Sequence, residues 1–581
     1  MSRYKTAKFE SLESLLQIGN RQLSAQLAEV LQGDCTDVSS TIRKFVALLD
    51  AVNDYNIDIG SFENLALLHE LVAVHDGAVV SMLSIHFNLA IGTISNLAPL
   101  NPYVENLYRQ LTSGRAIGVY LATELAHGNN LVALETHATY LPEKRLFLLN
   151  SETERAWKFM PNSSPCERPK IAVVLANLSV AGKRYGIFPF VVPLSSHGTM
   201  TKGVTITPLG EKPGLYLDNA ITSFNQVELP YEALLAGDML TLSRDGQVTV
   251  KMPKFRDRFA LVTSKIHSGK LCMAVSSVAA AKSALHITYR YAQQRKVHGY
   301  AGLMPVLNYQ HIKEGLAWDT LSTVAHSLYL RMLGCKVSRA FESERENFIF
   351  SDRLLAELIV AKALCTWRTQ EVLVACRERC GAQGLFSDNK IVTYVISNFG
   401  AITAEGDNLV LSLKAGALLL QDKLVPQQST PLLQDLVGVL QSWMDCLILK
   451  LNTLSTSSGR RIQLNVGDKY TDDVIALSQV WAVINVATCL LERQEDEDTM
   501  LVAEGYLLDS LFRALRSLIS HGVLGSAEAQ MIEARRLEFI RQHADRINNL
   551  IEAFAVEQAN IQTPISSDDY IQWYKNVHGD A

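Results

Sequence analysis

The spacing of apolar residues changes twice along this chain, and that double change constrains its fold more than any other feature. Up to about residue 118 the spacing is helical: Leu12, Leu15 and Leu16, and later Leu65, Leu68 and Val72, share faces, with breaks at Gly33, Gly60 and Pro99. From about 119 to 250 short runs bounded by Gly and Pro replace it: Arg145 to Leu149, Ile171 to Leu178, Tyr185 to Val192, Val204 to Thr207 and Ala220 to Leu229. These read as strands of a sandwich or barrel. Helical spacing returns from about 257 to 421. Beyond the turn-prone Val425 to Pro431 a further helical block reaches about 560, with Leu436, Leu440, Trp443 and Leu447 on one apolar face. The fold class is therefore α+β. The predicted division is a helical domain at 1–118, a central β domain at 119–255, a helical bundle at 256–424 and a last helical domain at 425–581.

A chain of 581 residues exceeds what one core holds, and 48% hydrophobic with 19% charged residues is ordinary for a globular enzyme. A formal charge of −5 leaves no basic footprint, so nucleic acid is not an expected partner. The nine cysteines form no Cys-x-x-Cys pair, and Cys376 and Cys380 lack a zinc spacing, so reduced thiols and no metal are expected. His75, His86 and His127 read as structural, and Glu495 to Asp498 as a solvated helix connection. Met1-Ser2-Arg3-Tyr4-Lys5 leads into an amphipathic stretch unlike a secretory signal. The apolar windows Leu271 to Ala281 and Val480 to Leu491 read as buried helices too short to span a membrane. The carboxyl end, His578-Gly579-Asp580-Ala581, lacks a Ser-Lys-Leu address, which gives the expectation of a cytoplasmic, bacterial protein.

Chemistry concentrates in Thr403-Ala404-Glu405-Gly406-Asp407-Asn408, which follows the glycine turn Cys380-Gly381-Ala382-Gln383-Gly384. A carboxylate next to a glycine and a capping Asp-Asn pair is mounted at a helix start, and burial raises its basicity toward the working range. Upstream, Thr123-Glu124-Leu125-Ala126-His127-Gly128-Asn129-Asn130 opens the strand-rich part. Together these strings resemble the acyl-CoA oxidase branch of the acyl-CoA dehydrogenase superfamily, whose order of helical, β, helical and further helical domains is the order read above.

The resemblance implies FAD as cofactor and Glu405 as the base, in the place of the family's Tyr-Glu-Gly. Ala404 stands where the family has Tyr, so Ala404 and Gly406 belong to the substrate pocket, which the missing aromatic ring reshapes or enlarges. Gly381 and Gly384 match a turn whose amides approach the FAD diphosphate. Thr123 matches a threonine bonded to the flavin ring, and Asn162, in Trp157-Lys158-Phe159-Met160-Pro161-Asn162-Ser163, lies on a loop that touches it. Arg295, in Arg290-Tyr291-Ala292-Gln293-Gln294-Arg295-Lys296-Val297-His298-Gly299, matches an arginine that reaches the FAD of a neighbouring subunit, and Gln310 falls where a second Gln is often near FAD. A homodimer is implied, as are an acyl-CoA substrate and O2 or an electron-transfer protein as acceptor. Two other readings stand beside this one: oxidation of an acyl or aminoacyl group bound to a carrier protein, or of another specialised metabolite, and an inactive dimeric scaffold.

Overall fold

The computed structural model describes residues 11–97, 101–196, 199–299, 302–343, 347–420, 433–457, 470–493 and 496–579. The sequence readings on Met1 to Lys5, Pro99, Val425 to Pro431, Glu495 and Asp580 to Ala581 lie outside the described residues. Short polar side chains start the first helices. Asn20, Asp37, Ser61, Asp76 and Asn101 each accept a backbone N–H at the head of Arg21–Leu31, Val38–Asp54, Phe62–Ala73, Gly77–Leu83 and Pro102–Thr112. A cap of this kind is worth about 1 kcal/mol. Gly77–Leu83 runs on through a π-helical stretch, Ser84–Ile91, into Gly92–Leu97.

The central sheet has six strands, with Lys170–Val180 at its middle. One edge of that strand pairs in parallel first with Ile117–Leu121 and then with His137–Leu141, and its other edge pairs antiparallel with Lys183–Pro193. Neighbours on both sides leave Lys170 to Ala176 buried without a break, which is why the strand reads as a continuous apolar run rather than an alternation. The run Ala220 to Leu229, expected as one strand, is two. Gln226 at φ +53° makes a turn, so Ala220–Phe224 joins a three-stranded sheet with Lys158–Phe159 and Val204–Pro208, while Val227–Pro230 joins the six-stranded one.

The helix Ser264–Gln294 is buried on nearly every face, because Phe62–Ala73, Gln310–Ser343, Asp352–Arg379 and Ile391–Thr403 all pack on it. Of the last large helices, Thr471–Leu491, Glu497–Ser520 and Ser526–Asn549 pack on Gln310–Ser343, and Gln434–Ser457 packs on Thr471–Leu491 and Glu497–Ser520. Leu436, Leu440, Trp443 and Leu447 are buried there. Two expectations are corrected here. Gly77–Leu97, Ser264–Gln294 and Thr471–Leu491 do reach the length and apolarity that could cross a membrane, although most of each lies inside the fold. The acidic run is not merely solvated: Asp496 caps Glu497–Ser520 through the Thr499 amide (3.0 Å), and Asp498 pairs with Arg546 at 2.7 Å.

Candidate active site

Glu405 lies in a loop, not at the helix start expected for it. The helix Ile391–Thr403 ends at Ala404, and Asn408–Leu419 begins after Asp407, whose carboxylate accepts the Leu409 amide at 2.9 Å. Between them Glu405 has φ +59° and Gly406 φ +104°. Gly406 takes that conformation freely, whereas a residue with a Cβ pays about 1–2 kcal/mol for it. The loop is therefore held from outside. Lys362 Nζ donates to the carbonyls of Ile402 (2.6 Å) and Gly406 (2.8 Å), and Asn408 Nδ2 donates to Thr366 Oγ1 at 2.9 Å.

The Glu405 carboxyl rests on the helix Ser264–Gln294 at Gly269. A Cβ on Gly269 would meet Glu405 Oε1 at 2.3 Å and Asn88 Nδ2 at 3.0 Å, so only glycine leaves room for the acid there. Desolvation raises the Glu405 pKa to about 7, against the pull of the Lys270 and Lys362 ammonium groups. The same burial lowers both lysines, with Glu405 as their largest counterweight. Lys270 Nζ reaches the Ile266 carbonyl and His267 Nδ1, each at 3.2 Å. Burial first, and then the neighbouring carboxylate, raises the hydroxyl of Tyr120 and the thiol of Cys272.

Thr123, Asn162, Ala404, Glu405 and Gly406 line one cavity of about 800 Å³. Ion pairs in the β domain build the wall that carries Thr123 and Asn162. Glu124 accepts the amides of Glu135 (2.7 Å) and Thr136 (2.9 Å) and pairs with Lys158 at 3.0 Å, both side chains being fully buried. The Phe159 amide donates to the Thr123 carbonyl at 3.0 Å, which pins the two wall segments side by side. Asn162 is committed to the protein: its Nδ2 donates to Asp218 at 2.9 Å and its carbonyl accepts Lys170 Nζ at 2.7 Å. Any ligand contact at this residue falls to the backbone. Lys414, His267 and the Arg256–Asp352 pair (3.1 Å) line other parts of the cavity.

Arg295, Gly381, Gly384 and Gln310 do not line that cavity. The first three form a second group. Gly381, at φ +58°, leaves a gap that a Cβ would fill 3.5 Å from an Arg295 guanidinium nitrogen, and a Cβ on Gly384 would stand 2.5 Å from the Arg377 carbonyl. Among the described residues Arg295 has no carboxylate partner, so a cation faces an open glycine turn, a cradle suited to an anionic group. Gln310 is exposed and bonded to Glu314 of its own helix at 2.7 Å. Among the described residues no His, Cys, Asp and Glu cluster could hold a metal. His75 bonds the Ala559 carbonyl, His86 accepts the Gly118 amide, and His127 bonds Glu135.

Sequence reasoning missed Gly269, Lys270, Lys362 and Lys414. A signal was present for Lys362, which stands alone in the apolar stretch Val360-Ala361-Lys362-Ala363-Leu364 and is fully buried. Lysine is almost never fully buried without a reason.

With the geometry in view, the similarities fall into place. Residues 265–420, which contain Gly269, Lys362 and Glu405, match the family model of the acyl-CoA oxidase C-alpha1 domain. An acyl-coenzyme A oxidase-like protein of Mus musculus is 26% identical over 439 residues, covering 74% of this chain and 65% of the relative. Peroxisomal acyl-coenzyme A oxidase 3 of Homo sapiens is 28% identical over 337 residues, covering 55% of this chain and 46% of the relative. This chain thus spans less than two thirds of the length of those relatives. Among solved structures, acyl-CoA oxidase1 from Yarrowia lipolytica superposes with a TM-score of 0.81 at 20% identity, over 98% of this chain and 91% of that one. Acyl-CoA oxidase-1 of Caenorhabditis elegans, complexed with FAD and ATP, gives 0.79 at 19% identity, over 97% and 92%. At such identities the superpositions show the fold. Over residues 265–420 the chain is thus similar to the acyl-CoA oxidase C-alpha1 domain, and over most of its length it shares the acyl-CoA oxidase fold. One expectation is overturned: the human relative is named peroxisomal, as are relatives from Arabidopsis thaliana, which removes the basis for a bacterial cytoplasm.

Proposed function

We propose that this protein oxidises an acyl-CoA at its α and β carbons to the 2,3-enoyl-CoA, with FAD as cofactor and Glu405 as base. The observation that carries this reading is the position of Glu405: a basic carboxyl, raised to about 7, at the floor of a cavity whose other wall carries Thr123 and Asn162. Thr123 and the backbone at Asn162 would hold the flavin ring, and Gly381, Gly384 and Arg295 the diphosphate. The cradle before Arg295 fits that diphosphate. The name of the Caenorhabditis elegans neighbour, which includes FAD, supports the same cofactor.

Bound FAD supplies an acceptor for a hydrogen with its electron pair. Glu405 would take the α proton at a carboxylate oxygen, and with the β hydrogen lost to the acceptor that FAD would supply, the Cα–Cβ double bond would remain. Apolar walls of Ile85, Leu89, Phe259 and Leu411 line the cavity that Glu405 shares, and such surroundings disfavour the charged form and raise its basicity. In the same reading dioxygen takes the electrons as hydrogen peroxide, the chain forms a homodimer in which Arg295 serves the neighbouring subunit's cofactor, and the domains divide near 118, 255 and 424. Exposed Ala404 leaves the cavity open beside the base, which favours bulky acyl groups, including those on a carrier protein.

Anaerobic stopped-flow bleaching of the flavin band by a panel of acyl-CoA thioesters tests this. Glu405→Gln keeps the shape but accepts no proton, so bleaching should slow by about 10² to 10⁴, the usual loss of a general base, with flavin still bound. Near-normal bleaching in that variant removes Glu405 from the role. A protein purified without flavin absorbance, and unable to take up FAD, would speak for the scaffold instead.

A further inference from the structure

Lys362 is a buried cation whose bonds go to main chain. It projects from the helix Asp352–Arg379, and among the described residues no carboxylate lies within ion-pair distance of its Nζ. Burial of an ammonium costs several kcal/mol unless something offsets it. What offsets it are two carbonyls, Ile402 at 2.6 Å and Gly406 at 2.8 Å, one at each end of the loop that carries Glu405. The next turns of the same helix extend the grip. Thr366 Oγ1 accepts Asn408 Nδ2 at 2.9 Å, and Gln370 Oε1 accepts Asn398 Nδ2 at 2.9 Å, so positions four apart on one face hold residues on both sides of the loop. Lys362 alone in that row carries charge.

We infer that Lys362 is the positioning residue of the base loop: by bridging the Ile402 and Gly406 carbonyls it sets the left-handed turn that points Glu405 into the cavity, and its charge favours the carboxylate. A neutral donor could bridge the same carbonyls. A cation does so while lying close enough to lower the pKa of Glu405, which burial alone raises. Geometry and basicity are thus set by one side chain. Charged or titratable groups from other elements face the same acid. Lys270 and Cys272 come from Ser264–Gln294 and Tyr120 from the sheet, while Lys414 of Asn408–Leu419 acts on Lys270 and His267, and Asp407 of the loop acts on Lys362. Lys270 remains when Lys362 is removed, so the charge effect is partial.

The kinetic part of this inference rests on the proposed thioester oxidation; the structural part does not, and the test separates them. Lys362→Met removes bridge and charge, Lys362→Gln keeps a shorter neutral donor, and Lys362→Arg keeps the charge. Amide hydrogen exchange over residues 403–408 in the FAD-loaded proteins reads the loop directly. In Lys362→Met it should quicken at least tenfold there, with the rest of the Asp352–Arg379 helix unchanged. The pH midpoint of anaerobic flavin reduction should rise in the Met and Gln variants and return toward wild type in Arg. Should the Met variant fail to fold, the Gln and Arg variants carry the same two comparisons. Unchanged exchange over 403–408 in every folded variant overturns the clamp, whatever the substrate proves to be. Quickened exchange with an unmoved midpoint overturns the electrostatic half. If no thioester bleaches the wild-type flavin, the proposed function fails, and exchange still decides the clamp.

Discussion

A carboxyl set among apolar groups titrates where its surroundings put it, and at Glu405 the surroundings disagree. Burial raises it to about 7 while Lys270 and Lys362 pull it down. The base must be ionised to accept a proton, so flavin reduction at saturating thioester should rise about tenfold per pH unit below neutrality and level off above about 7. A rate flat from pH 5 to 9 would contradict this, and a midpoint near the ordinary carboxylate value would mean that burial has little hold on the group. Gly269 admits a second test at the same scale. Gly269→Ala suits a helix, where Ala is better than Gly by about 0.5–1 kcal/mol, yet its Cβ would stand 2.3 Å from Glu405 Oε1. The acid must move. A misplacement of about 1 Å costs on the order of 10²-fold, so reduction should slow by that much while the melting temperature stays or rises. A stable variant with wild-type reduction would show that the carboxyl does not work from this spot.

At the scale of elements, the ends of helices do the placing. Arg295 follows the last turn of Ser264–Gln294 and is fixed by the hairpin Lys296–Gly299 with Gly302–Pro305, the Val306 amide donating to its carbonyl at 2.8 Å. Among the described residues the side chain lies by the Tyr291 ring and the Gly381 turn and joins no ion pair. Arg295→Ala should therefore leave apoprotein stability unchanged and weaken FAD retention, measured as flavin left after dilution and gel filtration. Full occupancy in the variant would free Arg295 from the cofactor. Strand Ala220–Phe224 shows the reverse dependence of an element on a turn: had Gln226 not adopted a left-handed conformation, the run to Leu229 would have stayed in one sheet.

Across the whole molecule, buried charge ties the helices together. Asp319 on Gln310–Ser343 binds Arg368 at 2.8 Å and Arg379 at 2.6 Å, both on Asp352–Arg379. In the C-terminal helices Asp509 gathers Arg513 (2.7 Å) and Arg536 (2.8 Å), and Arg513 also reaches Glu371, which Arg368 shares. Removing one member of a buried pair strands its partners, at a cost of about 3–5 kcal/mol. Asp319→Asn should accordingly lower the melting temperature by several degrees and leave the pH midpoint of flavin reduction where it was, since Asp319 does not face Glu405. An unchanged melting temperature would mean that solvent already screens the network.

By itself the sequence determined the alternation of helical and strand-rich regions, because periods of 3.6 and 2 are properties of local backbone geometry and survive whatever packs against them. The resemblance pointed to Glu405, Ala404, Gly406, Thr123 and Asn162, because each lies in a short contiguous string that can be matched without knowing which strings meet. What local pattern cannot carry is which distant residues meet. Lys362 lies 43 positions before Glu405 and Gly269 lies 136 before it, and only the packing of three helices makes the one a clamp and the other a floor. Gln310 shows the same limit from the other side, placed near a cofactor by its string and found exposed and bonded within its own helix. The basicity of the acid was likewise settled in three dimensions, since desolvation and the two opposing ammonium groups come from chain segments brought together only by the fold.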